Sequence, residues 1–172
     1  RFNKKDLFKN VMAVCGVLLM AAKFAGVENY PVMIASCLLY AVANAFYWQL
    51  MPSMIYDVCE VDDLMSGEKR SGTVISLQAL SESVSIAVGL QMLGVILEMA
   101  GFDSETAVQP DTALEWVENA FVLIPGAAMM AVALIMRKFP MTKEVFERVK
   151  DALEKREKGE NPDVTQLTEI FR

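Results

Sequence analysis

The chain has 172 residues, of which 54% are hydrophobic, and its formal net charge is −6. This acidic balance excludes a nucleic-acid-binding protein, because binding to phosphates needs a basic surface. With no histidine, three widely spaced cysteines and no glycine-rich phosphate loop, the sequence predicts no catalytic residues, no metal site and no cofactor.

A basic lead-in containing Lys4, Lys5 and Lys9 opens the chain ahead of the first apolar run. That run covers about residues 8–27, close to the roughly 20 residues that a membrane-spanning helix needs. The chain begins with Arg1, and nothing there resembles a signal peptide. We therefore expect a fragment from the C-terminal side of a longer protein.

A second apolar run without formal charge covers about residues 32–56. Asn44, Tyr47 and Trp48 fall on one side of it when a helix is assumed. An aromatic ring beside an amide and a hydroxyl is typical of a sugar site, because the ring stacks on the apolar face of a sugar. Packing against lipid or a neighbouring helix is the alternative for Trp48.

Charged residues are concentrated in residues 57–72, where we predict a loop just outside the bilayer. Ion pairs that break and re-form between such a loop and its neighbours can hold an inner gate closed. Simple solvation of these charges is the alternative. The residues assigned to this candidate cytoplasmic gate are Asp57, Glu60, Asp62, Lys69 and Arg70.

A third span, at about residues 73–97, is the least apolar. Gln78, Glu82 and Ser85 form one stripe at helical spacing, and Glu82 is the one acid in the middle of a span. A carboxylate inside a bilayer costs at least about 2.5–3.5 kcal/mol, so Glu82 should face an aqueous cavity or a partner. A structural hydrogen bond is the alternative for Glu82, and helix packing is the alternative for the serines.

A fourth span, at about residues 116–136, ends in two basic residues. Residues 139–172 then have the composition of a soluble tail. Phe146, Val149 and Leu153 recur there at helical spacing, which predicts an exposed helix, and one short helical turn is expected near the C-terminus.

The positions of lysine and arginine predict the orientation of the chain. Apart from Lys23, these residues lie in the lead-in, in the charged loop, or in the tail and the end of the span before it, which are therefore cytoplasmic by the positive-inside rule. The predicted fold class is an all-α membrane protein with four transmembrane helices in residues 1–138 and a cytoplasmic tail helix in 139–172. A soluble helical bundle is excluded, because four such apolar segments leave too little polar surface.

The charged stretch resembles that of a known transporter family. From Asp57 to Gly72 it reads DVCEVDDLMSGEKRSG, which is similar to the loop between helices ten and eleven of the glycoside–pentoside–hexuronide:cation symporters. Lys69 stands where these melibiose-carrier-like members of the major facilitator superfamily have arginine, and Ser71 where they have glutamate. The lead-in and tail resemble this family as well, so the four spans correspond to helices nine to twelve of twelve.

The resemblance implies a secondary active transporter that moves a sugar or glycoside with a cation, sodium or proton, by alternating access. Trp48 corresponds to a tryptophan that lines the family's sugar site, and Gln78 to a glutamine near it. Ser83 stands where the family has a lysine, whereas the helical wheel puts Glu82 in the cavity; which of the two faces it stays open. We assign Glu82, Ser83 and Ser85 to a polar, cation-coupling cavity.

The partners implied by the resemblance are a small sugar, the lipid bilayer of the inner cell membrane and the N-terminal helices of the same transporter. Two alternatives remain. One is a related carrier of a non-sugar substrate, which uptake by the whole protein would identify. The other is a four-span membrane scaffold that does not transport.

Overall fold

The computed structural model describes residues 3–160, Leu167 and Ile170, and this part of the chain contains helices and no strands. A π-helical segment, Asn119–Leu123, lies within a stretch that is helical without a break from Asp111 to Lys138. The turn expected near the C-terminus lies mostly outside the described residues. The α-helices are α1 (Lys4–Ala25), α2 (Tyr30–Ser66), α3 (Ser71–Met99), α4 (Asp111–Glu118), α5 (Ile124–Lys138) and α6 (Lys143–Glu157).

Four helical stretches of the described chain are long and apolar enough to cross a membrane. They are α1, α2, α3 and the continuous stretch Asp111–Lys138. Each overlaps one of the four spans predicted from hydropathy, and α6 follows them as a C-terminal helix. The predicted all-α membrane fold is therefore confirmed.

The turn between α1 and α2 depends on Gly26 and Pro31. Gly26 adopts φ +82°, a conformation that residues with a Cβ disfavour, and it ends α1. Pro31 occupies the first turn of α2, where its missing N–H has no helical partner to lose and its fixed φ suits the helix. The short connection makes α1 and α2 antiparallel neighbours.

The charged stretch differs from the loop predicted over residues 57–72. Here α2 continues to Ser66 and ends where Gly67 adopts a left-handed conformation with φ +74°, leaving residues 67–70 as the connection to α3. The prediction weighed charge alone, but no glycine or proline lies between Pro52 and Gly67 to stop a helix. At about 1.5 Å per residue, α2 is ~55 Å long and exceeds the ~30 Å hydrocarbon core of a bilayer.

Two apolar clusters hold the described helices together. The first joins α1, α2 and α5, and the backbones of α1 and α5 meet at Gly16 and Gly126. A Cβ built on Gly16 would lie 2.8 Å from the carbonyl oxygen of Gly126, so only glycine permits this approach. The buried members of this cluster are Phe8, Met12, Cys15, Ala43, Met54 and Ala133.

The second cluster packs α6 against residues 57–66 of α2, the charged C-terminal stretch that is called the polar-end extension below. Val149 is fully buried in it, and Phe146 and Leu153 are partly buried beside it. The three apolar positions that predicted an exposed tail helix therefore form its packed face. The buried members are Val61, Leu64, Met141, Val149, Ala152 and Leu167.

Helix α3 stands apart from both clusters. It contacts α2 and α4, but none of its residues is buried by the described part of the chain. Its apolar side chains, such as Leu77 and Leu90, are more than half exposed. This helix therefore has both a polar face and an apolar face available to lipid or to further protein.

Candidate functional site

A cleft of about 560 Å³ lies between α2 and α3. Its two walls follow the same helical spacing, because on each helix the lining positions i, i+3, i+4 and i+7 lie on one face. The lining residues are Asn44, Tyr47, Trp48 and Met51 from α2 and Gln78, Ser81, Glu82, Ser85 and Ile86 from α3.

All four residues predicted to bind substrate lie in this cleft, namely Asn44, Tyr47, Trp48 and Gln78. Periodicity placed the three α2 residues together because side-chain direction within one helix follows from local geometry alone, whereas Gln78 was assigned from the family resemblance. The sequence reasoning did not assign Ser81 and Ile86 as lining residues, although their spacing of i+3 and i+8 from Gln78 puts them on the same face.

Glu82 lines the cleft, whereas Ser83 does not. The hydroxyl of Ser83 instead donates a hydrogen bond to the carbonyl oxygen of Ala79 at 2.9 Å. The structure therefore agrees with the helical wheel on which of these two residues faces the cavity. The assignment of Ser83 to the polar cavity, which followed from the family's lysine position, is not supported by this placement.

The serines of the α3 wall are oriented by their own helix. Ser81 donates to the carbonyl oxygen of Leu77 at 2.8 Å, and Ser85 donates to that of Ser81 at 2.7 Å. Because each hydroxyl proton is used, the two oxygens face the cleft as hydrogen-bond acceptors only.

The larger polar side chains of the cleft have no such partners. Asn44, Gln78 and Glu82 make no side-chain hydrogen bond or ion pair with any residue in the described ranges. The Tyr47 and Trp48 rings pack edge to face with centroids 5.7 Å apart, and Trp48 remains 59% exposed. The cleft thus presents an aromatic ring, two amides and a carboxylate that are all available to a ligand.

A second cavity of about 270 Å³ lies on the other side of α2, between α1, α2 and α5. Its lining is mostly apolar and includes Phe8, Met12 and Pro125. Asn44 and Tyr47 line this cavity as well as the cleft, so they form part of the partition between the two spaces.

The charged end of the molecule comprises the start of α1, the C-terminal part of α2 and α6. Asp57 lies there, is only 7% exposed and is already paired within the chain. The ammonium of Lys4 donates to both of its carboxylate oxygens at 2.8 Å and lies 5.2 Å from the centre of the Phe146 ring. Asp57 therefore ties α1 to α2 beside the tail helix. Its predicted role in a gate stays untested, but its charge is not free for a distant partner in this geometry.

Glu60 and Asp63 lie on the same stretch of α2. The guanidinium of Arg156 donates to the carboxylate of Asp63 at 2.6 Å and to its backbone carbonyl oxygen at 2.8 Å, which fastens α6 to α2. One oxygen of Glu60, Oε2, is buried and has no hydrogen-bond partner among the described residues.

The remaining candidate gate residues lie at the surface. The Arg70 guanidinium donates to the carboxylate of Asp62 at 3.1 Å, with Arg70 half exposed. Lys69 is exposed. Asp62, Lys69 and Arg70 are thus accessible to a neighbouring segment, unlike Asp57.

Several contacts were missed by the sequence reasoning because they join residues far apart in the chain. Lys5 donates to the carbonyl oxygens of Arg137 and Phe139 at the end of α5. At the opposite end of the molecule, Lys23 pairs with Glu118 at 2.7 Å. No pattern in the sequence identifies such pairs, since each depends on helix packing.

The described residues contain no group of three or more histidine, cysteine, aspartate or glutamate side chains placed to hold a metal ion. The one carboxylate of the cleft, Glu82, is accompanied there only by neutral oxygen and nitrogen groups. The polar chemistry of the cleft is therefore hydrogen bonding around a single negative charge.

Comparison with known proteins gives a family match and two relatives. The family model described as MFS/sugar transport protein matches residues 1–143. The uncharacterized symporter sll1374 of Synechocystis sp. is 27% identical over 124 residues, which are 69% of this chain and 22% of that protein. The putative glycoside/cation symporter YagG of Escherichia coli is 20% identical over 149 residues, 87% of this chain and 32% of that protein. No solved structure matches the chain.

Proposed function

Because the chain belongs to the MFS/sugar transport protein family, we propose that it forms part of a secondary active transporter that moves a sugar or glycoside together with a cation. The observation that carries this proposal is the cleft between α2 and α3, in which Trp48 lies beside hydroxyl groups and beside amide and carboxylate groups that have no partner among the described residues. Such a combination suits a sugar, because a ring stacks on its apolar face while polar groups bond its hydroxyls.

The rest of the transporter would complete this site. The chain spans 22% and 32% of the lengths of its two curated relatives. The open side of the cleft and the unburied faces of α3 are consistent with further helices of the same carrier and with lipid. In alternating access, such helices close the site from one side of the membrane and then from the other.

The charged end of the molecule is proposed to face the cytoplasm and to carry part of the inner gate. Asp62, Lys69 and Arg70 are the residues available for this role, because they are accessible at the surface. Asp57 and Asp63 would instead stabilise the gate from within, through Lys4 and Arg156. Sodium or a proton is the expected coupling ion, and Glu82 is the candidate to respond to it.

The test is uptake by the whole protein reconstituted in liposomes, with radiolabelled sugars and glycosides and either a sodium or a pH gradient. The chain contains two tryptophans, and Trp116 lies on α4 outside the cleft, which provides a matched control. We expect Trp48→Ala to raise the half-saturating sugar concentration by about tenfold or more, because the stacking of the Trp48 ring on the sugar is lost. Trp116→Ala should leave this concentration unchanged.

Two results would contradict the proposal at different levels. If no sugar accumulates under either gradient, the carrier moves another class of substrate. If sugar accumulates but the two tryptophan variants behave alike, the transporter is a sugar carrier whose site is not this cleft.

A further inference from the structure

The charge of the cleft points to a preference among glycosides. We propose that the site accepts neutral glycosides and rejects those that carry a carboxylate, such as uronides. This inference rests on the proposed function and adds to it the class of sugar. It follows from which charges line the cleft and from which of its groups donate or accept hydrogen bonds.

Glu82 is the one acidic or basic side chain that lines the cleft, and no lysine or arginine among residues 3–160 joins it there. Helices α2 and α3 contain no lysine or arginine, and the nearest ones in the chain, Lys69 and Arg70, lie in the connection between the two helices rather than along the cleft. An anionic ligand would therefore meet a carboxylate of like charge with no counterion from this chain. Juxtaposed like charges discriminate strongly between partners that are otherwise similar in shape.

Hydrogen-bond polarity gives a second and independent reason. Ser81 and Ser85 have committed their protons to backbone carbonyls of α3, so their oxygens only accept. A carboxylate at Glu82 would also only accept. These three oxygen-bearing groups need donors from the ligand, and a sugar hydroxyl supplies a donor where a uronide carboxylate supplies none.

The opposite wall is compatible with this arrangement. Asn44 and Tyr47 of α2 offer an amide and a phenol that both donate and accept, and Gln78 adds a second amide from α3. A neutral glycoside can therefore bond both walls at once. A ligand carboxylate could bond the donors of Asn44, Tyr47 and Gln78 but would be repelled by Glu82.

The experiment uses pairs of ligands that differ only at C6, such as phenyl β-glucoside with phenyl β-glucuronide, and the corresponding galacto pair. Each competes with a radiolabelled neutral glycoside for the purified whole protein, with and without sodium at one pH. We expect the neutral member of each pair to compete at least about tenfold better, since the ligand carboxylate is repelled by the like charge of Glu82.

Variants at Glu82 separate charge from shape. Glu82→Gln keeps the size of the side chain and removes its charge, so the preference should fall below about threefold. Glu82→Asp keeps the charge and should keep the preference. Glu98→Gln makes the same chemical change at an exposed position of α3 outside the cleft and should leave it at the wild-type value.

Equal competition by both members of each pair in the wild type overturns this inference while leaving a sugar carrier intact. A preference that persists unchanged in Glu82→Gln overturns it as well. If no glycoside of either kind binds, the proposed function fails, and the inference fails with it.

Discussion

At the scale of single residues, the acids on the polar-end extension of α2 differ in what surrounds them. Asp57 accepts two hydrogen bonds from the ammonium of Lys4 in a buried position, whereas Glu60 has a buried oxygen that accepts none from the residues the structure describes. Removal of one member of a buried ion pair destabilises a fold, because the other member is left as a buried charge without a partner. These two acids therefore have opposite expected effects on stability.

We predict that Asp57→Asn lowers the stability of the whole protein by about 1–3 kcal/mol, because the charged hydrogen bonds from Lys4 are weakened. Glu60→Gln should leave the melting temperature unchanged or raise it, since it removes an unpartnered charge. Thermal unfolding in one detergent measures both, with Lys69→Gln as the control for an exposed change. Equal losses in the Asp57 and Glu60 variants would contradict the prediction.

At the scale of helices, the tail is defined by its docking on α2. Val149 is buried in the second cluster and Arg156 binds Asp63, so α6 has one apolar anchor and one ionic anchor on the same helix. Arginine that binds a carboxylate and a carbonyl at once is held in a fixed geometry. The removal of the ionic anchor between Arg156 and Asp63 should therefore loosen the C-terminal half of α6.

We predict that Arg156→Gln increases chymotrypsin cleavage within residues 139–160 about tenfold, because one charged contact of about 1.5 kcal/mol or more no longer opposes opening. Arg148→Gln is the matched control, since Arg148 is exposed on the same helix. Cleavage rates of the whole protein in nanodiscs give the comparison. Identical rates in the two variants would show that the ionic anchor is not needed for docking.

The helices also show which features of the fold could be predicted from the sequence alone. The four spans were predictable because long apolar runs and helical periodicity depend only on neighbouring residues. The same locality placed Asn44, Trp48 and Gln78 on the faces that line the cleft. The helical extension of α2 was missed because a run of charges does not distinguish a loop from a helix that emerges from a membrane. The π-helical segment Asn119–Leu123 had no predictive signal in the sequence.

Ion pairs between residues far apart in the chain could not be predicted from the sequence, for a different reason. Lys4 and Asp57 are 53 positions apart, and Arg156 and Asp63 are 93 apart. Each pair exists only because α1 and α6 pack on α2, which no local pattern specifies. The assignment of Asp57 to an accessible gate illustrates this limit, since its burial follows from tertiary contacts alone.

At the scale of the whole molecule, charge is divided between two ends. Lysines and arginines gather where α1 begins, where α2 ends and along α6, while the segment of residues 100–118 has acids and no lysine or arginine. The positive-inside rule assigns the first of these ends to the cytoplasm. The two ends should therefore differ in their exposure to reagents added from one side.

We predict that cysteines placed at Lys69 and Lys155 react with a membrane-impermeant maleimide only from the cytoplasmic side. A cysteine at Glu105 should react only from the other side, because α3 separates it from Lys69. Intact cells and inside-out vesicles provide the two orientations, in a background where exposed Cys37 is replaced by serine. Labelling of positions 69 and 155 from opposite sides would contradict the topology.

The partition formed by Asn44 and Tyr47 has a consequence for anyone who redesigns this protein. Both residues border the cleft and the cavity behind it, so a change made to suit a new ligand also alters the packing between α1, α2 and α5. Trp48 and Gln78 border the cleft alone. Directed evolution towards a new sugar should therefore accumulate tolerated substitutions at Gln78 and Trp48 first, and variants at Asn44 or Tyr47 should need compensating changes in Met12 or Pro125.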